Sequence, residues 1–119
     1  MEHGYLATDI ATSRPEQLVS RLLARALQSA RDAREAPAGP ERSRRLMRSL
    51  DILAELRGAL DFTLGGEIAQ NLDRLYEFAA ERLVCAGLPG AATEIDEALA
   101  VLAPIADAFA AVASEAGSA

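Results

Sequence analysis

The stretch Leu64–Phe78, "LGGEIAQNLDRLYEF", contains two adjacent glycines followed at once by a helix-like apolar pattern. Three readings compete: a phosphate-gripping loop, a turn between two core helices, or part of a surface that meets another protein. The pair lacks the spaced glycines of a dinucleotide fingerprint and the Gly-Lys-Ser/Thr of a P-loop. A helix N-terminus can hold an anion, but Glu67 places the wrong charge beside it. The turn reading wins. It makes Gly65-Gly66 the opening of a helix, with Glu67 in the first turn, where negative charge is favourable.

Helical patterns extend outward from this turn on both sides. Downstream, Ile68, Leu72, Leu75, Ala79 and Leu83 are expected along the core side, with Gly87 as C-terminal cap and Pro89 beyond it. Upstream, a segment from Pro40 to about Asp61 carries Leu46, Leu50, Leu53 and Leu60 on one side, with Met47, Ile52, Leu56 and Ala59 widening its apolar surface. Pro37-Ala38-Gly39-Pro40 separates it from a first helix over Pro15–Glu35, in which Leu18, Leu22 and Ala26 lie beside Val19, Leu23, Leu27 and Ala30. Ser13 and Glu16 have capping-box spacing, complicated by Pro15. A fourth helix starts within 89–94 and reaches about Ser114, with Ile95, Leu99, Leu102, Ala106 and Phe109 on one face and Ala98, Val101, Ile105 and Val112 on another. Pro104 predicts a kink there.

Four helical segments with short connections make neighbours antiparallel. The fold class is all-α: an antiparallel up-down-up-down four-helix bundle with a short mobile N-terminal segment. One domain spans residues 1–119, divided into a lead over 1–14, the bundle over 15–114 and a frayed tail over 115–119. At 119 residues there is room for one domain and not for two ordinary ones. Alanine and leucine dominate the hydrophobic half, and there is no Trp. That mix favours helices. The second and fourth helices carry more apolar surface than one core stripe needs, through close Ala-rich packing or surface kept for a partner.

Composition also excludes functions. The basic residues are all Arg, which removes Schiff-base, P-loop-lysine and lysine-base chemistry. An arginine-lined helical enzyme such as a chorismate mutase would need lysine as well. The one histidine, His3, sits in the N-terminal lead and the one cysteine is Cys85, so neither a phosphotransfer histidine on a helix, nor a di-iron set, nor a zinc site can be assembled. No enzyme, metal or cofactor is expected. A net charge of −6 argues against a nucleic-acid binder. The charge is uneven: residues 1–60 hold ten Arg against eight acids, and residues 61–119 hold two Arg against ten acids. Either the halves of one bundle attract, or an acidic face is offered to a partner. Arg42, Arg44, Arg45 and Arg48 form a solvated face or an anionic docking patch, with Glu41 and Asp51 placed for local pairing. No apolar run is long enough for a membrane helix, and nothing reads as a secretion signal, so a cytoplasmic protein is expected.

The order and spacing of Leu60-Asp61, Gly65-Gly66-Glu67-Ile68-Ala69, Asn71-Leu72, Leu75-Tyr76 and Arg82-Leu83 resemble the flagellin-specific secretion chaperones, the FliS family. Near the front, Tyr5, Ile10, Thr12 and Pro15, then Glu16 and Leu18, fit the same family, and Phe109 falls where it usually has Trp. The chain departs at Leu23-Ala24-Arg25-Ala26, where the family has an aromatic-Asp-Gly-Ala stretch, at Arg14 before the proline, and at Pro104. The resemblance implies a cytoplasmic export chaperone. Such a protein binds the C-terminal region of flagellin, prevents its premature polymerisation and presents it to the cytoplasmic domain of a flagellar export gate protein. It implies a partner surface drawn from Tyr5, Ile10, Leu50, Leu64, Ile68, Asn71, Leu72 and Tyr76, with Tyr5 and Ile10 on a displaceable lid or as plain staples on the first helix. The free chain would be a monomer or weak homodimer, without nucleic acid or membrane insertion. A helical interaction or regulatory bundle with another partner is the alternative.

Overall fold

Two prolines start helices where a missing N–H costs nothing: Pro15 opens α1 (Pro15–Glu35) and Pro40 opens α2 (Pro40–Gly58). They are followed by α3 (Phe62–Cys85) and α4 (Ala92–Ser118). The structure, a computed structural model, describes residues 15–87 and 92–118. Among these there is no strand. α1 packs on α2 and α4, and α3 closes the ring against α4 and α2, so each helix touches its chain neighbours and the first meets the last. Cross-links between helices fix the antiparallel sense. Ser49 Oγ donates to the Ala26 carbonyl at 2.9 Å, Arg57 pairs with Asp73, Arg82 with Glu97, and Arg34 with Asp96. The expected all-α four-helix bundle is therefore the observed fold.

The core is built from Leu23, Leu27, Leu46, Leu53, Leu56, Tyr76, Leu83, Ile95 and Leu102, with Ala26, Ala30, Ala33, Ala79 and Ala98 allowing close approach. The Arg cluster at the start of α2 is largely consumed within the fold. Arg42 donates to the carbonyls of Ala33 (3.1 Å) and Ala36 (2.9 Å), capping the end of α1. Arg44 and Arg45 both bond to Glu41, and Arg45 reaches Asp32.

Several boundaries differ from expectation for physical reasons. α2 stops at Gly58, with Ala59 as its C-cap. α3 begins before the glycines: Asp61 is its N-cap, its carboxylate accepting from Thr63 N (3.0 Å) and Leu64 N (2.9 Å). One turn follows, and then Gly66 takes φ 50°, ψ −124°, a break that only glycine adopts freely, before the long part of the helix. Gly65 is needed for a different reason. A Cβ there would stand 2.9 Å from the Ala69 Cβ. The two glycines are thus a kink and a close contact inside a capped helix. At the far end Ala86 is the C-cap, and Gly87 N bonds to Val84 O at 3.1 Å without the positive φ of a glycine cap. α4 runs to Ser118 and carries Pro104 within it, on an exposed side of the helix with Ala100.

The phase of α3 also corrects the sequence reading. Ala79 and Leu83 are buried as expected, with Leu72 half-buried, but Ile68 and Leu75, also expected on the core side, are exposed, and Ala69 and Tyr76 are buried in their place. Both sets share the spacing of three and four, so periodicity alone fits either.

Candidate functional site

Because α3 buries Ala69, Tyr76 and Leu83, residues about a quarter-turn away are left outside. Ile68, Asn71, Leu75, Phe78 and Arg82 recur at alternate steps of three and four, which lines them up as one seam. Ile68 is 71% exposed, and Leu75 and Phe78 are each about two-fifths exposed. Leu64, on the capped turn before Gly66, is 88% exposed. Single exposed hydrophobics need no explanation, but a file of them on one helix does.

The seam borders α4. The Arg82–Glu97 pair, 3.8 Å apart, sets the antiparallel register and brings the middle of α3 level with the exposed Pro104 and Ala108. Val112 is a further exposed apolar residue on α4. At the Cys85 end, the Arg82 guanidinium lies over the Phe78 ring, 5.7 Å from its centre, and its Nη2 is 3.9 Å from Cys85 Sγ. That contact closes the seam with a cation held in place by an aromatic face.

The opposite flank of α3 faces α2 and is polar. Arg57 bonds Asp73 and approaches Glu77 at 3.7 Å. The hydrogen bond from Arg57 holds the Asp73 carboxyl below its ordinary range, and Asp73 in turn holds the Arg57 guanidinium above its own. Burial pushes the Tyr76 hydroxyl up. No group of three or more His, Cys, Asp and Glu side chains among the described residues could hold a metal ion. The seam can therefore cover an apolar stripe of another chain.

Of the partner residues expected from sequence, Ile68 and Asn71 lie on this outer face, and Leu64 is exposed on the capped turn before the Gly66 break. Leu72 lies half-buried against the core, and Leu50 does the same on α2. Tyr76 is 1% exposed and fills the core. Tyr5 and Ile10 lie outside the described residues. Leu75 and Phe78 were missing from that set, although the heptad spacing from Ile68 onward was present in the sequence as a signal.

Comparison with known proteins adds an independent line. The family model described as "Flagellar protein FliS" matches residues 1–116. The chain is 35% identical over 100 residues to the flagellar secretion chaperone FliSB of Pseudomonas aeruginosa, covering 82% of this chain and 79% of that one. It is 28% identical over 105 residues to the flagellar secretion chaperone FliS of Vibrio cholerae, covering 86% and 77%. The corresponding protein of Salmonella typhimurium is 43% identical over 54 residues, covering 45% and 40%. A four-helix bundle with an unpartnered apolar seam suits a holding protein, and the match along nearly the whole chain supplies the rest: this protein belongs to the FliS family of flagellar proteins, a family of export chaperones and not of enzymes.

Proposed function

We propose that this chain is a cytoplasmic export chaperone that binds the C-terminal region of flagellin, keeps it from polymerising early and delivers it to the export gate. The exposed seam on α3 carries the reading. A flagellar subunit awaiting export must stay unfolded yet soluble, so its apolar stripes need a cover. Each large apolar side chain passing from water into such a cover is worth about 1.5–3 kcal/mol. Ordering the client on binding consumes part of that gain, which permits release without nucleotide. Leu64, Ile68 and Asn71 meet the client directly. Tyr5 and Ile10, on the N-terminal lead, act as its displaceable lid.

Calorimetry of the purified chain with the C-terminal region of its own organism's flagellin tests this. The expected result is a roughly 1:1 complex. No heat at tens of micromolar, with the chain folded and helical, rejects flagellin as client and leaves a bundle for another partner.

A further inference from the structure

The outer face of α3 carries charge in register with its apolar seam. Glu67, Arg74 and Glu81 recur every seven residues, so all three stand on one flank of the seam, about 10.5 Å apart. All three are exposed. Other charged groups on the helix are engaged: Asp73 and Glu77 by Arg57, and Arg82 by Glu97. Glu67, Arg74 and Glu81 make no ion pair among the described residues. Glu81 adds only weakly to the field at Arg57, whose hydrogen bond goes to Asp73, so its carboxylate stays open to a partner.

The order acidic, basic, acidic determines what can lie beside them. A second copy docking seam to seam in the antiparallel sense would set Arg74 against Arg74 and Glu67 against Glu81. Every flanking contact would then be between like charges, which destabilises such pairs. The face therefore turns away its own kind in that arrangement and calls for the inverse order.

We propose that the α3 face selects an amphipathic partner helix whose apolar seam is flanked by basic, acidic and basic residues at seven-residue spacing. This rests on the reading that α3 receives the client, and it specifies that client's chemistry. The apolar seam supplies affinity, and the three charges fix register and exclude helices of the wrong pattern.

The test uses the full chain and three synthetic helical peptides of about sixteen residues, long enough for three flanking charges at seven-residue spacing, with one shared apolar seam. Their flanks read Lys-Glu-Lys, Gln-Gln-Gln and Glu-Lys-Glu, and binding is followed by fluorescence anisotropy at low salt. The Lys-Glu-Lys peptide should bind about ten-fold tighter than Glu-Lys-Glu, with the neutral peptide between them. The order should invert in a Glu67→Lys, Arg74→Glu, Glu81→Lys variant, and Arg74→Glu alone should narrow the gap. High salt should collapse the differences. Equal binding of all three peptides, or binding of none, overturns the proposal. Flagellin that binds through Ile68 but ignores the triple variant overturns charge selection and keeps the chaperone reading. Peptides that sort by charge while flagellin fails to bind keep charge selection and reject flagellin.

Discussion

Arg57 Nε donates to Asp73 Oδ1 at 2.8 Å, with Arg57 Nη2 and Asp73 Oδ2 3.5 Å apart, tying α2 to α3. The bidentate arrangement leaves the carboxylate charged at pH values where a free one would bind a proton.

A pH dependence follows from this pair. Asp73 is held below its ordinary value of 3.8 by the Arg57 hydrogen bond, and Glu41 below 4.5 by bonds from Arg45 and Arg44. Both folded-state values lie under the unfolded ones. The stability they contribute is therefore full above about pH 4.5 and is lost as the pH falls through the depressed values. Thermal melts followed by circular dichroism should show the midpoint dropping below about pH 4.5, and Asp73→Asn should flatten that drop. An unchanged pH profile in Asp73→Asn would remove Arg57–Asp73 as its source.

The two glycines should fail in different ways. Gly66→Ala forces a side chain into φ 50°, ψ −124°, and should cost about 1–3 kcal/mol in urea unfolding. Gly65→Ala should also destabilise, through its 2.9 Å encounter with the buried Ala69. Adding Ala69→Gly should recover part of the Gly65→Ala loss, with a coupling above about 0.5 kcal/mol. It should recover nothing for Gly66→Ala.

Ile68 and Leu72 separate surface from core. Ile68→Asp should leave unfolding within about 0.5 kcal/mol of the parent and weaken client binding at least ten-fold. Leu72→Asp drives a carboxylate against the core cluster and should cost about 2 kcal/mol or more. Urea melts alongside calorimetry read both quantities, and binding that survives Ile68→Asp would move the client off α3.

Ser49 offers a test of the α1–α2 join. Its buried hydroxyl donates to the Ala26 carbonyl at 2.9 Å. Ser49→Ala should cost about 1 kcal/mol, the net worth of one neutral hydrogen bond. A stabilised Ser49→Ala would show that apolar packing there outweighs the bond.

The bounds of α1 and the start of α2 were legible because proline marks a helix start by a local rule that packing does not override. The phase of α3 was not. Ile68, Leu75 and Leu72 share a spacing with Ala69, Tyr76 and Leu83, and alternative stripes on one helix are separated only by what lies against them. Large apolar residues are the obvious core candidates by composition, yet Ala69 lies inside while Ile68 stays out. The same ambiguity hid the outer seam. Leu75 read as core was unavailable as surface, so the file from Ile68 to Phe78 did not stand out. The Arg45–Glu41 pair was legible as a local spacing, but the role of Arg42 was out of reach, since the carbonyls it meets, Ala33 and Ala36, lie at the far end of α1 and just past it. The family motif was legible throughout, being a matter of residue order alone.

The break at Gly66 sets a length. Beyond it the helix axis is no longer continuous, so the straight part of the seam runs only from Ile68 to Arg82, about 21 Å. Four turns of a partner fit that ruler, and a fifth would overrun onto the capped turn that carries Leu64 at another angle. A long helix laid on this face must bend or end there. The grip is local by construction, and most of any client bound to α3 alone projects beyond it.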